Sequence, residues 1–148
     1  MFRITLIILI AFLLSSCEEE PFEAESMIIT QLSLTKVSFQ NSFGSNWDDL
    51  SNPDIFIKLT ESGTTNSLKT STFQDISSNG LPLVWELKST FTLNDFNNNL
   101  VVSVYDEDVF SDDLISTGTF SFDPFEDYES YNLILDETCE ILIDVKYK

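Results

Sequence analysis

The chain has 148 residues, a length that holds one domain with a sizeable core and not two. Its 25 Asp and Glu stand against seven Lys and Arg, and the formal charge of −18 argues against nucleic acid and against unaided attachment to an anionic surface. The absence of histidine excludes Ser–His and Cys–His catalysis and every His-ligated metal, while hard cations suit so acidic a chain.

Residues 1–16 have the form of a secretory signal peptide. One positive charge at Arg3 precedes an apolar stretch from Ile4 to Leu14 that is too short to span a bilayer, and small residues follow. Leu14-Ser15-Ser16-Cys17 resembles the lipobox of bacterial lipoproteins. That resemblance implies cleavage before Cys17, acylation of Cys17 as the link to a membrane, and a place in the bacterial cell envelope as an outer-membrane lipoprotein. Loss of residues 1–16 deletes one cation and no acid, so the mature chain is more negative still. Residues 17–26, Cys17 followed by "EEEPFEAES", read as an acidic tether held open by like charges and Pro21. They are either a plain spacer or, by loose resemblance, the export signal of a surface-exposed lipoprotein.

Residues 27–148 form the expected domain. Period-two alternation and β-branched residues recur between turns rich in Asn, Asp, Ser, Gly and Pro. Strands are expected over 29–39, 54–60, 67–73, 83–91, 99–105, 114–122, 130–136 and 139–147. In the first, Leu32 and Leu34 are followed by Val37 and Phe39, so the apolar register slips at Thr35–Lys36 as a β-bulge would make it. In the last, Cys139, Ile141, Ile143, Val145 and Tyr147 share one face. With Cys17 acylated, Cys139 has no disulfide partner in the chain, and its place in that row marks it as a small buried apolar residue. No helical stripe of useful length follows the signal. Periodicity leaves a sandwich and a small barrel open.

Catalysis finds little support. Four glycines supply no phosphate-binding loop, and paired carboxylates set in turns of one small all-β domain offer no substrate cleft, so no enzyme is expected. Carboxylates and hard cations match better, because Ca²⁺ takes roughly six to eight oxygen ligands and tolerates irregular geometry. Asp106 and Asp108 are two apart where the fifth strand ends, so an extended backbone points them the same way. Asp112 and Asp113 lie across the following short turn. A second acidic loop, "WDDLSNPDIFIKL" over 47–59, sets Asp48 and Asp54 on either side of a Ser-Asn-Pro turn.

Three segments in order resemble the C2 domain family. Asp54-Ile55-Phe56-Ile57-Lys58-Leu59 is similar to that family's D-P-Y-V-K-L strand, with Ile55 in place of Pro. "LPLVWE" (81–86) is similar to its N-P-x-W-N-E segment, with Trp85 as the core aromatic. "VSVYDEDVFSDDLI" (102–115) is similar to its V-x-V-Y-D strand and acidic loop. The family's Gly after the final Ile is Ser116 here, and the Gly usual in the first loop is missing.

The resemblance implies an eight-stranded antiparallel β-sandwich with a C2-like Greek key. It places calcium ligands on Asp48, Asp54, Asp106, Asp108 and one of Asp113 or Asp112, with Asp113 preferred because it directly precedes the apolar pair Leu114-Ile115. It also implies Ca²⁺-dependent docking to phospholipid or, in this compartment, lipopolysaccharide. Val109 and Phe110 of the third loop and Leu50 of the first are the expected membrane-contact residues. A different class fits the same residues: a protein-interaction or adhesion module, stabilised by calcium or independent of it, with no lipid binding.

Overall fold

A computed structural model describes residues 23–41, 43–47 and 51–148. The signal-like segment, Cys17, Asp48 and Leu50 lie outside the described residues. Strands β1 (Met27–Lys36), β2 (Ile55–Glu61), β3 (Ser67–Lys69), β4 (Leu83–Leu93), β5 (Leu100–Asp106), β6 (Asp113–Phe120), β7 (Ser130–Asp136) and β8 (Cys139–Tyr147) make two four-stranded sheets, ordered β4-β1-β8-β7 and β3-β2-β5-β6. Every pairing between neighbours is antiparallel. The open sheets decide for the sandwich. Among the described residues the one helical element is the 3₁₀ turn Ser78–Gly80.

The core lies between the sheets because alternate residues of each strand turn inward. Ile55, Ile57 and Leu59 of β2 and Leu100, Val102 and Val104 of β5 are fully buried, facing Leu32, Leu34, Ile141 and Ile143 from the other sheet. Strand β1 reaches this core through two changes of parity. The expected slip falls between Leu34 and Lys36 in the pairing with β8. A second lies between Ile29 and Gln31 in both of its pairings, and lets Met27 and Ile29 point inward as well as Leu32 and Leu34. Its extra residue, Thr30, donates its hydroxyl to the Asp144 carbonyl at 3.1 Å.

Strand β3 is shorter than the expected 67–73. Thr70 donates its amide to the Ile57 carbonyl at 2.9 Å, but its hydroxyl, rather than a backbone carbonyl, accepts the Ile57 amide at 3.0 Å. A side chain thus replaces the main-chain acceptor and the ladder breaks. Pairing resumes only as the isolated bridge between Ile55 and Phe73. The segment is then held by Trp85, whose indole N–H donates to the Ser71 carbonyl at 2.8 Å and whose ring meets Phe73 edge-on at 4.9 Å. Trp85 is the core aromatic that its motif implied, only 4% exposed.

Three connections of the sandwich, residues 37–54, 70–82 and 107–112, leave from the end defined by Ile55, Asp106 and Asp113. The opposite end holds Met27, Leu93 and Tyr147 in one register row. There the chain enters. Ala24 is buried and donates its amide to the Pro124 carbonyl at 2.9 Å, and Ser26 and Lys148 exchange amide–carbonyl bonds at 3.1 and 2.9 Å. The last residues of the acidic stretch expected as tether, from Ala24, are therefore joined to the sandwich.

Truncating Trp85 to Ala should lower the unfolding free energy by about 3–5 kcal/mol, because it removes both a core ring and the clamp on Ser71; urea denaturation measures this. Burial, with Asp136 nearby, pushes the Cys139 thiol up to about 12. In a Cys17→Ser background, Cys139 should therefore resist a thiol reagent under native conditions and react fully in denaturant.

Candidate metal centre

Strand pairing places the acids. Ile55 pairs with Asp106, and Asp106 with Asp113, so three adjacent strands put two carboxylates and the residue after Asp54 in one row. Asp106 shares the parity of Leu100, Val102 and Val104 and points inward, where it is 1% exposed. The Asp54 amide donates to Asp106 Oδ1 at 2.7 Å, and the Asp54 carbonyl accepts the Glu107 amide at 2.7 Å. First and third loops are thereby locked to each other at the strand end. Asp108 is half-buried two residues further on.

The second loop joins them through a residue the sequence did not single out. The Asp75 amide donates to Asp54 Oδ1 at 2.7 Å, and the Asp75 carboxylate accepts the Asn52 amide at 3.0 Å. Asp75 has φ of 60°, a left-handed conformation that Asp adopts more readily than most residues. Its loop carries one acid among Ser and Asn, with no spacing to mark it. Among the described residues, no three acidic or thiol side chains form a ready-made cage.

A cation of the protein itself deals with the outward-facing acids. Lys69 Nζ stands 2.7 Å from Glu107 Oε1 and 3.8 Å from Asp112 Oδ2, and lies 3.6 Å above the Phe56 ring, which stacks on Tyr105 at 5.1 Å. The Lys69 ammonium, with a hydrogen bond from Thr72, holds the Glu107 carboxyl below the ordinary range. Asp112 is thus paired on the flank, whereas Asp113 sits opposite Asp106 in the ladder.

Apolar residues project at the same end. Val109 and Phe110 are 93% and 99% exposed, so Phe110 is not folded back on its loop. Phe43, in the first loop, is 92% exposed and was not anticipated. The Asn41 side chain accepts the amides of Phe43 and Ser45 at 3.0 and 3.2 Å, and this turn presents Phe43 to solvent. The Asn-Ser-Phe-Gly sequence was the available signal.

The fold is thus an antiparallel two-sheet β-sandwich with acids and bare apolar side chains gathered on the loops of one end. The profile of the C2 domain matches residues 30–136, and the chain belongs to the C2 domain family. It is similar in fold to a solved structure described as a C2 domain (TM-score 0.61, 16% identity, covering 82% of this chain and 96% of that one). It is also similar to the paired C2 domains, A and B, of extended-synaptotagmin 2, calcium bound (0.60, 11%, 86% and 47%). A third similar structure is human GIVD cytosolic phospholipase A2 with an inhibitor and terbium chloride (0.60, 18%, 87% and 18%). The chain thus spans less than half of the second and under a fifth of the third. No curated protein matches it by sequence.

Two other acids, buried Glu61 and exposed Asp136, are held by hydrogen bonds within the fold. Burial alone would raise the Glu61 carboxyl, but amides of Asn66 and Asn98 at 2.8 and 3.3 Å, with backbone amides of Asn94 and Asp95, hold it below 4.5. Partial desolvation opposes ionisation of Asp136, and the Ser116 hydroxyl with the amide and hydroxyl of Thr138 outweighs it, holding the Asp136 carboxyl below the ordinary range. Both carboxyls bind protons more weakly folded than unfolded. The stability they contribute is therefore complete above those ordinary values and is lost as pH falls through the lowered ones. The variants Glu61→Gln and Asp136→Asn should each be less stable than the parent at neutral pH, with a shrinking difference below about pH 4. Urea midpoints measured across pH test this.

Proposed function

We propose that the protein is a lipid-anchored C2 module of the bacterial envelope that binds Ca²⁺ at its loop end and docks through the ion to a phosphate-bearing lipid surface. The observation that carries this reading is the row Ile55–Asp106–Asp113, with the Asp54 amide on Asp106. It sets the backbone of Asp54, at the end of the first loop, against the Asp106 carboxylate at the base of the third. The donor chemistry fits, since Ca²⁺ prefers oxygen ligands and the candidates are all Asp. Asp48, Asp54, Asp106, Asp108 and Asp113 are the proposed ligands. Asp112 is the lesser candidate, because it shares Lys69 with Glu107.

Burying a carboxylate beside other carboxylates is costly unless positive charge compensates it, and Asp106 is buried in such company. Val109, Phe110, Phe43 and, outside the described residues, Leu50 are the proposed lipid contacts beside the ion. Calcium bound to the C2 domains of extended-synaptotagmin 2 supports the choice of cation. The anchor is Cys17, on the strength of the lipobox-like segment. No catalytic role is proposed.

Calorimetric titration of residues 17–148 carrying Cys17→Ser should give saturable Ca²⁺ binding in roughly the 10⁻⁴–10⁻³ M range of extracellular modules. At ten times the dissociation constant, one ion adds about 1.4 kcal/mol. That corresponds to a melting temperature raised by roughly 3–6 °C in a domain of this size. Both responses should vanish in the Asp106→Asn/Asp108→Asn double variant, whose residue 106 still offers the Asp54 amide an acceptor. No response of the parent up to several millimolar Ca²⁺ would remove the metal centre.

A further inference from the structure

We propose that the groove between the hairpin of residues 38–41 and 43–47 and the first residues of β6 is a binding site for a neutral sugar, one ring of which stacks on Trp47. The site goes beyond the calcium and lipid reading and does not depend on it.

Local hydrogen bonds build one stiff wall of the groove. Ser38 donates its hydroxyl to the Gln40 carbonyl at 2.6 Å and accepts the Gln40 amide at 3.2 Å. Gln40 and Asn46 form a bridge, and the Asn41 amide donates to the Ser45 carbonyl at 2.8 Å. Gly44, at a φ of 79° that favours glycine, returns its amide to the Asn41 carbonyl at 2.9 Å. The indole N–H of Trp47 donates to the Ser38 carbonyl at 2.9 Å, which closes the hairpin and fixes the ring. With its one polar group engaged there, the half-buried Trp47 side chain has only its ring to offer a ligand.

The other wall is equally fixed. Leu114, 48% exposed, and Ile115 line it from the start of β6, and Thr138 from the turn between β7 and β8. Asp136 ties the two together, since one of its oxygens accepts the Ser116 hydroxyl and the other the amide and hydroxyl of Thr138. The cavity between the walls is about 360 Å³, inside the roughly 300–1,000 Å³ range of small-molecule sites.

The lining decides the class of ligand. None of its residues is charged, although 22% of the chain is, so an ionic ligand would find no counter-charge there. A purely apolar ligand would strip water from the amides of Gln40 and Asn41 and give nothing in return. Among the described residues, Asn41 Oδ1 is taken by the amides of Phe43 and Ser45, while Asn41 Nδ2 and the Gln40 side-chain amide have no hydrogen bond. These groups offer donors and an acceptor, and a hydroxyl is both. A pyranose carries hydroxyls around its edge and C–H groups on its faces. It can lay one face on the electron-rich ring of Trp47 beside Leu114 while its edge meets Gln40 and Asn41.

The test titrates residues 17–148 carrying Cys17→Ser with maltohexaose, cellohexaose, mannohexaose and N-acetylchitohexaose, and with an anionic oligogalacturonate, all in chelator. Calorimetry should show at least one neutral hexasaccharide binding with a Kd in roughly the millimolar range or tighter. Trp85 is buried in the core, so the accompanying change in tryptophan emission should come from Trp47. Trp47→Ala should weaken binding by more than about tenfold and Trp47→Phe by less. Gln40→Ala, at an exposed position, should weaken it several-fold without lowering the melting temperature. No binding of any neutral probe up to about 10 mM, or binding of the oligogalacturonate alone, would overturn the site. So would affinity left unchanged in both Gln40→Ala and Leu114→Ala, the two variants that decide the matter if Trp47→Ala unfolds its loop.

Discussion

The uninterrupted ladder between β2 and β5 is the constraint on which the remaining arrangement depends. Seven consecutive pairs run from Ile55–Asp106 to Glu61–Leu100 without a bulge, and their inward residues are fully buried aliphatics. A one-residue slip would turn that whole set to solvent, so the register is strongly specified. Each end of the ladder carries one buried acid, and the two are treated differently. Glu61 is met by neutral amides, which makes it a structural knot tying the β2–β3 turn to the β4–β5 loop. Asp106 meets the Asp54 amide among further carboxylates, which makes its surroundings suited to a cation.

Polarity follows from the same ladder. Since β2 begins where β5 ends, the first and third loops must leave from one end, and Asp54 and Glu107 are bonded there through the main chain. Lys69 then sorts the acids. It engages Glu107 and Asp112 on the flank over Phe56, whereas Asp106 is turned inward. The entry strand completes the arrangement. Because β1 is antiparallel to both β4 and β8, its start lies with their ends, and the chain comes in opposite the loops.

Much of this was legible in the sequence, for identifiable reasons. Strand β8 has a clean alternation, and the run 55–59 matches a β-strand motif with its acid at the front, so both were found with their inward faces correct. The bulge near Lys36 was visible as a parity change from Leu34 to Val37. The one at Thr30 left an equal mark, from Ile29 to Leu32, and was missed because only Ile29 of the expected strand lay before it. The break after Lys69 was not legible, because it depends on the Thr70 hydroxyl taking a distant amide. Asp75 and Phe43 were missed for a related reason. Their positions arise from loop hydrogen bonds, to Asn52, Asp54 and Asn41, and leave no periodic trace. Asp106 and Asp108 could be paired because a strand end fixes their directions, whereas Asp113 followed from the resemblance, as the residue before Leu114-Ile115.

The charge of the chain gives the cation more than a structural part in this reading. Between a protein of formal charge −18 and an anionic bilayer, repulsion is confined to about 8 Å at physiological ionic strength. The loop tips must cross that distance to reach lipid. Fully burying Val or Phe is worth roughly 1.5–3 kcal/mol each, a modest total against immobilisation and the approach of like charges. Apolar insertion by Val109 and Phe110 is therefore insufficient for firm docking while the carboxylates behind them stay uncompensated. A divalent ion at the proposed ligands Asp54, Asp106, Asp108 and Asp113 would change the sign of the interaction where those tips meet the surface, and the apolar contribution would then add to attraction. Under the proposed function, the same acids that oppose unaided binding would make it conditional on calcium, which accounts for the gathering of charge at the loop end.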